Sequence, residues 1–327
     1  MPVRLCAARG ARPLDRRFEL IGALVAAASL IAAAPPPPAP LILQEQVWLA
    51  PGADPARSLT HAPVECLAAS TPQIEAGRAL FRAPTILGGP AARAGLSCAA
   101  CHAQGRVNHR FLLPELTDRA GAADVTSEWA SAVRGDGVMN PVPIPDLAGA
   151  GARSTFGAAR EPDLARFIRG VVVDEFQGRD DPARLAALTA YVAALRAPCP
   201  ADERAIAVKD ALDDVRRAVA AAAAVEDPAL AGSTLLAAQH LIGLIVERLP
   251  ARDFSPERNA LAALARDLGG LRDVNGRAYS VTSEAPGWRA RFDAVATRIE
   301  RRAGATYFDA RRLRQSFESQ RNGLAGR

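Results

Sequence analysis

Cys98, Cys101 and His102 stand in the run Cys98-Ala99-Ala100-Cys101-His102. Two thiols one helical turn apart, followed at once by an imidazole, form the attachment signature of a c-type haem. The thiols reach the two vinyl groups on one porphyrin edge as thioethers. The next residue turns its imidazole onto the iron from the same short helical segment. A zinc or redox reading of the pair is the alternative, but the chain has no second Cys-x-x-Cys to complete a four-cysteine site. The expectation is one covalently bound haem c, held by Cys98 and Cys101, with His102 as the proximal ligand.

The opposite face of the iron decides the chemistry. A methionine there makes a higher-potential carrier, a second histidine a lower-potential one, and an open position permits reaction with peroxide or small ligands. Met1 apart, the chain has one methionine, Met139, in Val138-Met139-Asn140-Pro141-Val142-Pro143-Ile144-Pro145. Prolines reduce the entropy lost in ordering such a loop, so Met139 is the expected sixth ligand. His109, seven residues after the motif, and His61 are the other candidates. His240 falls on the Leu236/Leu244 face of a helical stretch and reads as a core histidine. Arg106, Arg110 and Glu115 are charged groups near the motif that an enzyme would use for proton transfer.

These residues need helices to carry them. Thr71-Pro72 supplies a cap and a first-turn proline for a helix through Ile74, Ala79, Leu80 and Phe81. A Gly/Pro-rich loop leads into the motif, and a weakly periodic stretch runs to about residue 160. Asp163 to Val173 reads as a helix, and Asp181-Pro182 opens another through Leu185, Leu188, Tyr191, Val192 and Leu195. This order predicts a cytochrome c-like domain over 66–200. That fold packs its first and last helices together, which places Cys66 and Cys199 near one end and predicts a disulfide between them. Two separate thiols are the alternative.

Ala197-Pro198-Cys199-Pro200 breaks the pattern. Beyond it, four apolar stripes follow: Ile206 to Val219, Leu235 to Leu249, Leu261 to Leu271, and Trp288 to Ile299. A last helix is expected over about 307–320. Residues 201–327 therefore read as an antiparallel helical bundle, and the whole chain as all-α.

The other end reads as an export segment. Residues 1–34 carry five arginines before an apolar run from Leu20 to Ala34 that ends in small residues. It is either a cleaved signal peptide or a retained membrane anchor. Pro35 to Pro40 is a stiff polyproline stretch, and 41–65 looks irregular, so 35–65 reads as a linker. Export implies a periplasmic location, where a disulfide persists.

The run Glu75-Ala76-Gly77-Arg78-Ala79-Leu80-Phe81, the haem motif, Val142-Pro143-Ile144-Pro145-Asp146-Leu147 and Asp163-Leu164-Ala165-Arg166-Phe167-Ile168 together resemble one haem domain of the bacterial di-haem cytochrome c peroxidase/MauG family. The likeness covers about 70–196 and assigns haem binding to Cys98, Cys101 and His102. The chain departs from the family in having one motif where those enzymes have two. Phe156-Gly157-Ala158-Ala159-Arg160 replaces a histidine-bearing turn, and Val171 to Phe176 stands where a methionine or tyrosine ligand often sits.

The expected function is one-electron transfer by a mono-haem cytochrome to a redox partner protein. The alternative is a peroxidase-like or MauG-like oxidoreductase with an open distal site, working with a partner haem protein. Formal net charge is +5, with more than half of it in the first 34 residues, which excludes nucleic acid as a partner. From Arg301 onward seven arginines face two acids, a basic end that would suit an acidic partner or a membrane-associated complex.

Overall fold

A computed structural model describes residues 41–325 apart from 42, 274 and 280. The expected export segment, Cys6 and the polyproline stretch lie outside the described residues. From Leu41 onward the chain forms one compact unit, and it is mostly helical.

The stretch 41–65 is not irregular. It holds a 3-10 turn (Gln44–Trp48), helix α1 (Pro55–Thr60) and strand β1 (His61–Pro63). Asp54 caps α1 by accepting from the Ala56 and Arg57 amides, and Pro55 pre-sets its first turn. Six residues are too few to show periodicity, which is why the sequence hides this helix.

Helix α2 (Pro72–Phe81) starts where Thr71-Pro72 predicts, with Thr71 Oγ1 accepting from Ile74 N at 3.2 Å. Helices α3 (Gly89–Arg93) and α4 (Cys98–Cys101) follow. Strands β2 (Ala122–Ala123) and β3 (Val142–Pro143) pair antiparallel across the long loop. Helix α5 (Leu164–Arg169) is capped by Asp163 and continues into a π-helical turn, Gly170–Glu175. Helix α6 (Pro182–Ala194) is capped by Asp181.

Strand β4 (Glu203–Ala205) comes next, then α7 (Val208–Ala224), α8 (Pro228–Glu247), α9 (Ala251–Gly270), α10 (Val281–Glu300) and α11 (Ala310–Ala325). These match the predicted stripes, with two differences. Ile206 lies before α7, where its amide donates to Thr60 O. Helix α9 begins ten residues before Leu261 and bends at Phe254, two residues before Pro256.

Two large apolar clusters fill most of the described molecule, and a small third one, Leu43, Ala56, Leu59 and Leu313, joins α1 to α11. One of the large clusters joins α7, α8, α9 and α10 through Leu212, Leu235, Ile242, Phe254, Leu261 and Phe292. The other surrounds the Cys98–His102 turn with Leu80, Phe81, Phe111, Leu116, Leu188 and Tyr191. The turn at 197–200 separates them along the chain but not in space. Ala79 and Ala83 belong to the bundle cluster, whereas Ala221 and Leu230 belong to the motif cluster. Helix α2 packs against α6 on one side and against α7 and α8 on the other. β1 pairs antiparallel with β4, His61 opposite Ala205.

A buried ionic knot fastens the same junction. The Glu65 carboxylate takes Arg78 at 2.5 Å, Arg82 at 2.9 Å and the Tyr191 hydroxyl at 2.6 Å. Arg78 also reaches Asp214 of α7 at 2.8 Å. Burial alone would push Glu65 up. The two guanidiniums and the hydrogen bonds from Arg78 and Tyr191 overcome that and hold it at about 2.

Candidate functional site

Helix α4 is a single turn. The His102 amide donates to Cys98 O at 2.8 Å, so the histidine closes the turn that begins with the first cysteine. Past it the backbone reverses through two left-handed residues, Gln104 (φ 56°) and Gly105 (φ 75°). A non-glycine residue pays for that conformation at Gln104, and glycine takes it freely at 105. The reversal brings Asn108 back onto the motif. Its amide donates to Cys101 O at 2.9 Å and its side chain to Ala100 O at 2.8 Å. Carbonyls that a one-turn helix leaves unpaired are thereby satisfied. Sequence reasoning missed Asn108. Its signal is an asparagine placed to reach back over a short helix end.

The Val142–Leu147 stretch lies against the same turn, with Leu147 N donating to Gly105 O at 3.1 Å. Arg106 binds Asp146 at 2.7 Å and donates to Pro200 O at 2.7 Å. Arg110 binds Glu203 of β4 at 2.6 Å. Both arginines are thus committed to ion pairs that tie the motif loop to its neighbours. Glu115 is exposed.

Cys98 and Cys101 are free thiols, half-buried and packed against the motif cluster. Burial pushes the Cys98 thiol up to about 12 and raises Cys101 further, aided by Cys98 beside it. The His102 ring sits 6.4 Å from the Phe81 ring, which in turn packs on Tyr191 at 5.0 Å. Burial pushes His102 down to about 4 against the opposing influence of the Pro145 carbonyl and Asp146, so the ring is neutral near pH 7. The Pro145 carbonyl and the Asp146 carboxylate are thus the polar groups nearest the buried ring.

Met139 lies on a loop, 132–140, that is exposed throughout. Its side chain is 48% exposed and belongs to neither cluster. Val133, Val138 and Val142 around it are more exposed still. The loop is pinned at its base. Asn140 N donates to Asp124 at 3.2 Å, and Arg134 binds Glu175 at 2.8 Å and Asp174 at 3.3 Å. Glu175, on the π-helical turn, is buried with one carboxylate oxygen unpartnered, and burial raises its proton affinity. A π turn is a frequent mark of functional sites, and nothing in the sequence pattern announced it.

His109 is exposed. His61 and His240 line one cavity, to which Ala99 and Ala100 of α4 also contribute. Cys66 and Cys199 are joined by a disulfide, with their Cα atoms 5.8 Å apart. The chain matches no family model, no curated protein and no solved structure.

Proposed function

We propose that the chain is a mono-haem c-type cytochrome that carries single electrons, with a cytochrome c-like segment over 66–200 resembling one haem domain of the di-haem peroxidase/MauG family. The observation that carries this reading is the pair of unlinked thiols on the turn closed by His102. Cys66 and Cys199 form a disulfide in the same chain, yet Cys98 and Cys101 remain free. Thioether bonds to a haem are a use of a Cys-x-x-Cys-His run that leaves no disulfide there, and the chain has no second Cys-x-x-Cys for a four-cysteine zinc site.

The surrounding residues fit the group. The imidazole is neutral, as an iron ligand must be, and the Pro145 carbonyl and Asp146 beside it are the kind of groups that orient a ligating ring. Four of the exposed large apolar side chains fall within 133–142, the surface expected of a loop that covers a large apolar ligand. A haem bound there supplies a one-electron ferric–ferrous couple. His102 would ligate the iron, Asn108 holds the motif turn, and Phe81 and Tyr191 keep water from the ring. Met139 is the proposed sixth ligand.

The disulfide supports a periplasmic location, with residues 1–34 as signal peptide or anchor. The partner would be another redox protein, soluble or within a membrane-associated complex. A peroxidase-like enzyme with an open distal site is the second reading. The exposure of Met139 and the buried Glu175 favour it.

Intact mass and the ferric spectrum test both. We expect covalent haem that is lost in Cys98→Ala/Cys101→Ala, and a low-spin spectrum that turns high-spin in Met139→Ala. Absence of covalent haem in the exported protein sinks the cytochrome reading. A high-spin wild-type spectrum with rapid peroxide reaction selects the enzyme.

A further inference from the structure

We infer that the cavity between α4 and α8 is a binding site for a neutral hydroxylated aromatic ring of the phenol or hydroquinone class. The cavity measures about 200 Å³. An engineered apolar cavity of about 150 Å³ suffices for benzene, so one six-membered ring with substituents fits. Trp48, Leu59, Leu241 and Leu244 form apolar walls, and Ala99 and Ala100 of the motif turn form another.

The polar groups on the wall select the ligand. Thr60 Oγ1 has one proton and donates it to Ala56 O at 2.7 Å. The same oxygen lies 3.1 Å from His61 Nδ1. That contact is a hydrogen bond only if Nδ1 carries the proton, so in the neutral ring Nε2 is a lone-pair acceptor, and no hydrogen bond to it forms among the described residues. Ser58 Oγ also lines the cavity, buried and without a partner. The His240 ring makes no hydrogen bond among the described residues, and burial keeps it neutral despite Glu45 nearby. Two imidazoles and a hydroxyl among the lining residues thus await a ligand that donates and accepts.

The charged groups select against an ion. Glu45 is held by Arg248 at 2.6 Å, Asp210 by Arg204 at 2.7 Å, and Asp214 by Arg78 at 2.8 Å. Arg82 is taken by Glu65 at 2.9 Å. An ionic ligand would bring a charge with no partner left for it, at a large desolvation cost. A ring bearing hydroxyls gives its proton to His61 Nε2 and takes one from Ser58.

Calorimetric titration of the purified full chain with phenol tests the site. The readout involves no haem, so it stands or falls separately from the cytochrome reading. We expect one saturable site, at least tenfold weaker in His61→Phe and several-fold weaker in Ser58→Ala. Leu244→Trp, which fills the cavity, abolishes it. The His61 Nε2 nitrogen resonance shifts on binding in the wild type. Absence of saturable binding, binding unchanged in all three variants, or equal affinity for benzoate would each overturn the proposal.

Discussion

Glu65 lies between β1 and α2, and its partners are distant in sequence: 13 positions along on α2, 17 along at the cap that ends α2, and 126 along on α6. A carboxylate with two guanidiniums and a hydroxyl around it is stable only as a set. Removing the negative charge leaves Arg78 and Arg82 buried near each other, with Asp214 and the more distant Glu75, 3.6 Å from Arg78, as the remaining counter-charges. Breaking such a buried arrangement from one side costs about 3–5 kcal/mol. Glu65→Gln should lower stability by that amount in urea unfolding near pH 7. The same residue sets an acid limit. Its native value of about 2 lies below the ordinary 4.5. Its stabilisation is therefore complete above about pH 5 and lost as pH falls towards 2, about 3 kcal/mol in all. Unfolding free energies measured across that range should fall steeply in the wild type and less steeply in Glu65→Gln.

At the scale of elements, α2 is the axle on which the other helices turn, and small residues make that possible. A Cβ placed on Gly77 would lie 1.9 Å from the Ala187 carbonyl oxygen of α6 and 3.0 Å from Tyr191 Cβ. Both obstacles belong to a packed helix and cannot swing aside. Gly77→Ala should force α2 and α6 apart and loosen Leu80, Phe81 and Leu188 between them. Overpacking in cores costs about 1–3 kcal/mol, and a backbone obstacle puts this substitution at or above about 3 kcal/mol in thermal or urea unfolding. Both helices are legible in the sequence because cap, proline and apolar spacing agree at Thr71-Pro72 and Asp181-Pro182. The bundle stripes are legible for the same reason. What the sequence hides is non-local. Pairing of β1 with β4 rests on three residues a side, 140 to 144 positions apart. Nothing near Arg78 shows that α2 is buried on both sides. Of the candidate site, the Cys98–His102 turn is fully legible, because its chemistry is local. The cavity joins His61, at the start of β1, to His240, on α8, and no short window of sequence contains both.

Taken whole, the described molecule is closed by one covalent bond and several long-range contacts at the same seam. The Cys66–Cys199 bond spans 133 positions, enclosing α2, the motif turn, the long loop, α5 and α6. Beside it Arg196 N donates to Cys66 O at 3.0 Å, and Ala68 N donates to Ala194 O at 2.9 Å. Arg106 reaches the carbonyls of Cys199 and Pro200 from the motif side. A crosslink over so long a loop restricts the unfolded chain, worth roughly 5 kcal/mol in the chain-entropy account, with measured losses on removal of about 2–5 kcal/mol. Cys66→Ser/Cys199→Ser should therefore lose at least about 2 kcal/mol in urea. The interleaved clusters dictate how that loss appears. Ala79 and Ala83 pack into the bundle, and Ala221 and Leu230 pack around the motif. Neither segment can open without exposing the other's apolar surface. Probes in each should therefore move together, Trp129 emission for the motif segment and Trp288 emission for the bundle, each followed in a variant whose other two tryptophans are phenylalanine. Midpoints that fall by the same amount in both reporters are expected. A midpoint that falls at Trp129 while Trp288 stays put would mean that the bundle stands alone and the seam joins two independent bodies.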